Sequence, residues 1–268
     1  MKPFYFSLAS FGTMSIPDAV HCAQSIEMGI LGNPISANKL QLCPQNRRGV
    51  NRESCDILLE RYPDTEFRLH ANVNISGRPF IVDASNWGDY TLEWFTTLRE
   101  YVRLLKTPVY TLHAGRRDNC TLPELFDKVR EIEDFLQIPV GVEGLYPERD
   151  GKWLINSWRE YEAMLNSGVN YALDLSHLNI VAYYEQSKPL DLLKALLESK
   201  QCIEVHISDN EGYRDSHFHI VKEPWWWDSL QFTNPSADIF TEGFISTALV
   251  LTACTAEKVL FPLPTLKK

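Results

Sequence analysis

Short apolar segments rich in β-branched and aromatic residues alternate with amphipathic segments of helical length along the whole chain. Eight of the short segments have the length and composition of strands, and they comprise residues 4–10, 39–44, 66–73, 108–115, 139–146, 170–178, 202–209 and 237–244. One intervening segment carries apolar residues at the spacing of a single helical face, at Leu92, Phe95, Leu98, Val102 and Leu105. Such alternation is typical of repeated βα units around a parallel sheet.

Eight strands with intervening helices predict an α/β fold of the (β/α)8 TIM-barrel type, with an open parallel sheet as the alternative. The length of 268 residues is ordinary for one such barrel. A hydrophobic content of 44% is sufficient for a sizeable core, and no segment resembles a Gly/Ser/Pro-rich linker. We therefore expect one domain over residues 1–268.

Two tetrapeptides of the capping-box type predict helix starts. They are TLPE at 121–124 and SWRE at 157–160. In each, the hydroxyl of the first residue can accept from the backbone while the glutamate reaches back to the cap.

The charge and cysteine content restrict the cellular context. A net charge of -9 argues against a general binder of nucleic acid or membrane surfaces, because such binding depends on Lys and Arg. The N-terminal segment lacks the apolar region of a secretory signal, and no apolar stretch reaches 18 residues. The six cysteines are widely spaced without a CxxC pair, which is typical of reduced thiols. We expect a cytoplasmic protein without a membrane partner, and the sequence leaves its oligomeric state open.

Imidazole and carboxylate side chains stand at the ends of the third to eighth predicted strands, and they are His70, His113, Glu143, Asp174, His177, His206 and Glu242. The loop after the seventh strand adds Asp215 and His217. In a barrel these positions converge at the mouth, where active sites lie. A single histidine at a strand end is usually a hydrogen-bonded polar residue, but nine such groups together require cations to neutralise them. We therefore predict a metal centre.

The predicted donor set contains imidazole and carboxylate but no thiolate. Such donors suit Zn²⁺, Mn²⁺ or Fe and do not choose among them. Nine ligands are too many for one ion, so we expect two or three divalent metal ions. Glu143, Glu242 and His206 are also the predicted catalytic residues.

Six short segments, RLHAN, TLHAG, GVEG, LDLSH, VHISDN and DSH, resemble motifs of the xylose-isomerase-like TIM-barrel superfamily. That superfamily includes sugar isomerases and epimerases and the endonuclease IV group, AP endonuclease family 2. The isomerase pattern implies one ion, held by Glu143, Asp174, His206 and Glu242. The endonuclease IV pattern implies three ions, held by His70, His113 and Glu143, by Glu143, Asp174, His206 and Glu242, and by His177, Asp215 and His217.

Two features of the loop after the seventh strand bear on this choice. One-metal isomerases generally lack an Asp-x-His sequence there, so Asp215 and His217 favour a multinuclear site. Where both branches usually have a Gly-rich turn, this chain has VKEPWWWDSL. We predict that Trp225, Trp226 and Trp227 bind substrate as a stacking wall or lid, and the alternative is that one or two of them pack under the loop.

Arginines are frequent in the segments that follow strands, at Arg47, Arg48, Arg78, Arg116, Arg117, Arg149 and Arg214. Guanidinium groups bind phosphate and carboxylate bidentately, which indicates an anionic substrate. Arg116, Arg117 and Arg214 are the predicted substrate-binding residues. The alternative is that these arginines serve only as soluble loop residues.

These features together predict a multinuclear, metal-dependent phosphoester hydrolase acting on a small anionic or carbohydrate substrate. A sugar or sugar-phosphate isomerase or epimerase is the first alternative. A multinuclear iron enzyme of oxidative chemistry is the second. Duplex DNA stays open as a substrate but is not favoured, because the chain is acidic.

Overall fold

The computed structural model describes residues 2–47, 49–73, 75, 81–148, 150–246 and 249. The strands are β1 (Phe4–Ser7), β2 (Gly29–Ile30), β3 (Asn33–Leu42), β4 (Glu66–His70), β5 (Tyr110–His113), β6 (Val140–Glu143), β7 (Tyr171–Asp174), β8 (Cys202–Ile207) and β9 (Asp238–Thr241). The α-helices are α1 (Ile16–Ser25), α2 (Arg52–Arg61), α3 (Leu92–Leu105), α4 (Leu122–Leu136), α5 (Trp158–Ser167), α6 (Leu175–Glu185) and α7 (Leu190–Glu198). Short 3-10 helices span Leu8–Phe11, Ala84–Asn86 and Trp227–Phe232.

Eight parallel strands form a closed barrel. Strands β3 to β9 pair in chain order, and β1 closes the barrel by pairing with both β3 and β9. The predicted (β/α)8 TIM-barrel fold is thus confirmed, with all eight predicted strands present. The second barrel strand begins at Asn33 rather than at Lys39, because β2 and β3 form an antiparallel hairpin. Leu31 and Gly32 have positive φ at its tip, as a tight hairpin turn requires.

The two predicted capping boxes have different outcomes. At the start of α4 the backbone N–H of Thr121 donates to the Glu124 carboxylate at 2.7 Å, as predicted. At the start of α5 the Ser157 side chain makes no cap hydrogen bond. The second box is therefore a wrong prediction, because Glu160 instead accepts from Arg117 and from the backbone of Asn156.

Strand side chains alternate between two environments. Those that face the helices are apolar and fully buried, among them Leu40, Leu69, Leu112, Val142, Leu173, Val205 and Ile239. The alternate positions face the barrel interior, and many of them are polar or charged. The hydrophobic core therefore lies mainly between the barrel and its helices, and the interior of the barrel can hold polar chemistry.

Two further expectations concern the cellular context. Over the residues that the structure describes, every helix is too short or too polar to cross a membrane. Cys43, Cys55, Cys120 and Cys202 are free thiols. Cys22 is disulfide-bonded, so the expectation that all six cysteines are reduced is wrong at this residue.

Candidate metal centre

The register of the barrel brings imidazole and carboxylate groups to one height. His113 lies opposite Glu143 in the β5–β6 ladder, and Asp174 lies opposite His206 in the β7–β8 ladder. Residues directly opposite each other in a sheet present their side chains to the same face. β4 ends at His70, so that imidazole also lies at the carboxyl end of the barrel.

Glu143 lies at the centre of the cluster and is 1% exposed. Its Oε2 atom is 3.4 Å from His70 Nε2 and 3.3 Å from His206 Nδ1. Its Oε1 atom is 3.5 Å from His177 Nδ1. The ligand atoms of His70, His113 and Glu143 all lie within 4.8 Å of one another. One carboxylate thus contacts imidazoles that belong to different predicted ion sites.

Two more groups of three residues have ligand atoms within 4.8 Å of one another, and these are His70 with His206 and Glu242, and Glu143 with Asp174 and His177. His206 Nδ1 lies 3.9 Å from Glu242 Oε1. Because His70 and Glu143 each belong to two groups, the donor sets share ligands rather than standing apart.

The loop after β8 adds the predicted third set. Asp215 Oδ2 is 3.4 Å from His177 Nε2 and 2.8 Å from His217 Nε2. His217 Nδ1 is 3.6 Å from Glu242 Oε2. The structure therefore brings all nine residues that the sequence singled out into one continuous cluster at the barrel mouth.

The cluster contains buried polar atoms without a hydrogen-bond partner among the described residues, and these are Glu143 Oε2, His206 Nδ1 and His217 Nδ1. Leaving a buried donor or acceptor unpaired costs about 1–3 kcal/mol. Carboxylate oxygens and unprotonated imidazole nitrogens both donate a lone pair to a divalent ion. The residues present therefore fit a bound metal cluster.

The environment shifts the pKa values of these groups in different directions. Burial lowers the pKa of His70 to about 3, although Glu143 is close. Burial also lowers that of His206, but the Glu143 and Glu242 carboxylates raise it well above its usual value. Burial raises the pKa of Glu242 to about 7, whereas His206 and His70 hold that of Glu143 below its usual range despite its burial. The two carboxylates therefore differ in their affinity for a proton.

Sequence reasoning missed Glu204, which lies below the cluster and is 1% exposed. Its Oε1 atom is 2.8 Å from His206 Nε2. It also accepts hydrogen bonds from Thr111, Gln41 and Arg68. The sequence spacing of Glu204 and His206 could have predicted this residue, because residues two apart on a strand lie on the same face.

A cavity of 770 Å³ lies beside the cluster and is lined by Ser10, Phe11, Gly12, Thr13, Met14, Ser15, Asp18, Arg47, Phe244 and Ile245. The backbone N–H of Phe244 donates to the His217 carbonyl at 2.8 Å, and its ring centroid lies 5.8 Å from the imidazole. Phe244 is therefore both a wall of the cavity and a neighbour of His217. Arg47 is exposed, and its guanidinium makes no hydrogen bond or ion pair with the described residues.

The three arginines predicted to bind substrate differ in how far they are already paired. Arg117 makes two 2.8 Å hydrogen bonds to Glu160 and others to Asn156 and Gly151, so its donors are used within the protein. Arg116 pairs with Asp118 and lies over the Trp153 ring, and Arg214 pairs with Glu211 and Ser216. Arg48, Arg78 and Arg149 lie outside the described residues.

The three consecutive tryptophans do not form one wall. Trp226 and Trp227 are 1% and 4% exposed, and the Trp227 ring lies 5.8 Å from Phe4 at the start of β1. The prediction of a substrate wall is wrong for these two residues, because their large apolar surface is buried in the core. Trp225 is partly buried, and its indole N–H donates to Asn179 Oδ1 at 2.9 Å.

Comparison with known proteins supports the fold. No family model and no curated protein matches the chain. Among solved structures, a D-tagatose 3-epimerase-like protein has a TM-score of 0.64 at 14% identity, covering 96% of each chain. The IolI protein with a binding zinc atom has a TM-score of 0.58 at 12% identity, again covering 96% of each chain. Endonuclease IV from Thermus thermophilus has a TM-score of 0.57 at 16% identity, covering 96% of this chain and 97% of its own.

A xylose isomerase domain containing protein from Salmonella typhimurium is also similar, with a TM-score of 0.59 at 13% identity, covering 96% of each chain. The resemblance that the sequence motifs indicated is thereby confirmed for the fold. The names of the similar structures include an epimerase and an endonuclease, so the likeness by itself does not choose a reaction.

Proposed function

We propose that this chain is a divalent-metal-dependent phosphoester hydrolase that acts on a small anionic substrate. The observation that carries the proposal is the continuity of the donor cluster from His113 to His217. A site for one ion needs three or four protein ligands. Here Asp215 and His217 extend the donor set beyond the ligands that a single ion uses.

In this proposal the ligands divide into three sets, which are His70, His113 and Glu143, then Glu143, Asp174, His206 and Glu242, and then His177, Asp215 and His217. When bound, the ions supply a hydroxide nucleophile near neutral pH and stabilise the attacking and leaving oxygens of a phosphoester. Glu143 belongs to two sets, since His70 of the first set and His206 of the second both lie beside its Oε2 atom. It would therefore be a ligand shared by two of the ions.

The cavity beside His217 supplies the substrate-binding part of the proposal. Arg47 presents a guanidinium that no described residue pairs, which suits a phosphate or carboxylate group. Phe11, Met14 and Phe244 provide an apolar surface, and Asp18 can accept hydrogen bonds from hydroxyl groups. We infer a substrate of modest size that joins an anionic group to a polar, hydroxylated body. Arg116 and Arg214 remain proposed rim contacts, and Trp225 is the remaining tryptophan candidate.

The proposal is tested with the purified full-length chain loaded separately with Zn²⁺, Mn²⁺ or Fe²⁺. Elemental analysis would count ions per chain, and a chromogenic phosphodiester and phosphomonoester would report hydrolysis. We expect two or three ions and hydrolysis that Glu143→Gln abolishes. A single ion with no phosphoester hydrolysis under any loading would overturn the proposal. Cleavage of an abasic-site oligonucleotide would instead identify DNA as the phosphoester substrate.

A sugar or sugar-phosphate epimerase is the second candidate, supported by the two carboxylates beside His206. The pKa of Glu143 is lowered and that of Glu242 is raised to about 7. Carboxylates whose pKa values are pushed apart are suited to acid and base roles in proton transfer next to a carbonyl. One ion per chain, together with solvent deuterium incorporation into a ketose, would favour this candidate over hydrolysis.

A further inference from the structure

Glu204 occupies the barrel interior directly below the candidate metal centre. Both of its carboxylate oxygens accept hydrogen bonds from buried groups. Oε1 is 2.8 Å from His206 Nε2, 2.8 Å from Thr111 Oγ1 and 2.6 Å from Gln41 Nε2. Oε2 is 3.1 Å from the Arg68 guanidinium. A carboxylate that accepts at both oxygens carries no proton, so each of these partners donates.

The first consequence concerns His206. Its Nε2 atom must carry a proton in order to donate to Glu204. The Gln41 amide nitrogen lies 2.9 Å from the same ring nitrogen, but an amide NH2 group cannot accept that proton. In the neutral imidazole, Nδ1 then has the lone pair, and Nδ1 is the atom that lies 3.3 Å from Glu143 Oε2.

The second consequence reaches His70 through Thr111. The Thr111 hydroxyl has one proton, which it donates to Glu204, so it can only accept from His70 Nδ1 at 2.9 Å. His70 then carries its proton on Nδ1 and has its lone pair on Nε2. That Nε2 atom lies 3.4 Å from Glu143 Oε2. His70 and His206 therefore present opposite ring nitrogens to the same carboxylate.

We propose that Glu204 is a positioning residue that sets opposite tautomers of His206 and His70 and so selects the ring nitrogen that each offers to an ion. Glu204 is itself held by Arg68, which also pairs with Glu66 and Asp238. The inference rests on the proposed metal centre but not on the reaction that it catalyses. Loss of a hydrogen bond that orients a metal-binding histidine typically weakens metal affinity by about 10–100-fold.

The test compares two substitutions at Thr111, because this residue links Glu204 to His70 alone. Thr111→Val keeps the side-chain volume and removes the hydroxyl, whereas Thr111→Ser keeps the hydroxyl. Stepwise Zn²⁺ dissociation constants would be measured by competition with a chromophoric chelator. We expect Thr111→Val to weaken one binding step by about 10–100-fold and Thr111→Ser to stay close to wild type. Glu204→Gln should weaken at least two steps.

Two further readouts separate positioning from a general loss of structure. Thermal unfolding of the metal-free variants identifies any that fold poorly. The two Thr111 variants test the link to His70 even where Glu204→Gln does not fold. Heteronuclear NMR of the isotopically labelled, cadmium-loaded protein identifies the bound nitrogen of each ring, which we expect to be Nδ1 of His206 and Nε2 of His70.

Equal affinities of Thr111→Val and wild type for every ion, or cadmium bound to His206 Nε2, would overturn the inference. A wild-type chain that binds no ion would overturn the proposed function as well. Metal binding with the expected Thr111 and NMR results but without phosphoester hydrolysis would overturn only the proposed reaction.

Discussion

His206 Nδ1 and Glu143 Oε2 lie 3.3 Å apart inside the barrel, and neither atom has a hydrogen-bond partner among the described residues. Both are buried from water, so the carboxylate needs positive charge beside it. In the metal-free protein a proton on His206 supplies that charge, as its raised pKa indicates. A divalent ion would therefore compete with protons for this site.

Removing the central ligand should empty most of the metal centre while the barrel still folds. Glu143→Gln keeps the side-chain volume but removes the charge that lies between His70 and His206. We expect the variant to lose at least two ions per chain, measured by elemental analysis, with an unchanged far-UV circular dichroism spectrum. Asp118→Asn is the control, because that side chain is 74% exposed and lies outside the cluster. A Glu143→Gln protein with the full wild-type metal content would contradict the assignment.

Asp215, in the loop after β8, should be needed for the binding of a single ion. Asp215 contacts His177 and His217 but is in neither of the two donor groups that contain His70. We therefore expect Asp215→Asn to lower the metal content by one ion per chain while the other ions stay bound, since Asp215 is a proposed ligand of the third set alone. Isothermal titration calorimetry would count the sites. Loss of every ion in this variant would mean that the three sets are not separable.

Stability and metal affinity should depend on pH in opposite senses. Burial lowers the pKa of His217, but Asp215 and Glu242 raise it to about 9. The folded chain therefore holds this proton more tightly than the unfolded chain, whose histidine has a pKa of about 6.5. This contribution is fully present below pH 6.5 and is lost as the pH rises toward 9.

We accordingly expect the melting temperature of the metal-free protein to fall between pH 6.5 and pH 9, more steeply than that of His217→Gln. Over the same range the affinity for Zn²⁺ should rise, because ions bind the unprotonated imidazole. Differential scanning calorimetry with and without the ion measures both trends. Identical pH dependence of the metal-free wild type and His217→Gln would disprove the His217 contribution.

Arg47 and Arg117 should have different roles although both follow barrel strands. Arg47→Ala should raise KM for an anionic substrate about tenfold with little change in kcat, as expected when one charged contact of about 1.4 kcal/mol is lost from substrate binding. Arg117→Ala should leave KM unchanged and lower the free energy of unfolding by about 1 kcal/mol, because Glu160 loses its partner. Steady-state kinetics and urea unfolding of both variants would distinguish them, and the reverse pattern would contradict the cavity as the substrate site.

Substitution of a buried tryptophan should lower the free energy of unfolding more than substitution of a partly exposed one. Trp227→Ala is expected to lower the free energy of unfolding by about 3–5 kcal/mol, because it leaves a cavity in the core near Phe4. Trp225→Phe keeps an aromatic ring but removes the indole hydrogen bond to Asn179, and it should cost about 1 kcal/mol. Urea unfolding of the metal-free proteins checks both values. A small effect of Trp227→Ala would mean that this ring is not part of the core.

The sequence by itself determined the order of strands and helices and the residue types at the strand ends. These features depend on local periodicity, since alternating apolar residues define a strand and a closed parallel barrel brings strand ends together. His70, Glu143 and Asp174 each end a strand, so their convergence follows from the fold. That convergence is why the candidate ligands at the strand ends could be predicted from the sequence, whereas Asp215 and His217 lie in a loop and were singled out by their Asp-x-His pattern.

Only the tertiary structure decided which side chains meet across the barrel and which are enclosed in the core. Glu204 contacts Thr111, Arg68 and Gln41, which are 93, 136 and 163 residues away along the chain. Local periodicity places each on the inner face of its strand, but the register between strands sets which of them are within hydrogen-bond distance. In the same way, the tertiary structure buries Trp226 and Trp227 in the core but leaves Trp225 partly exposed, although the three are adjacent in the sequence.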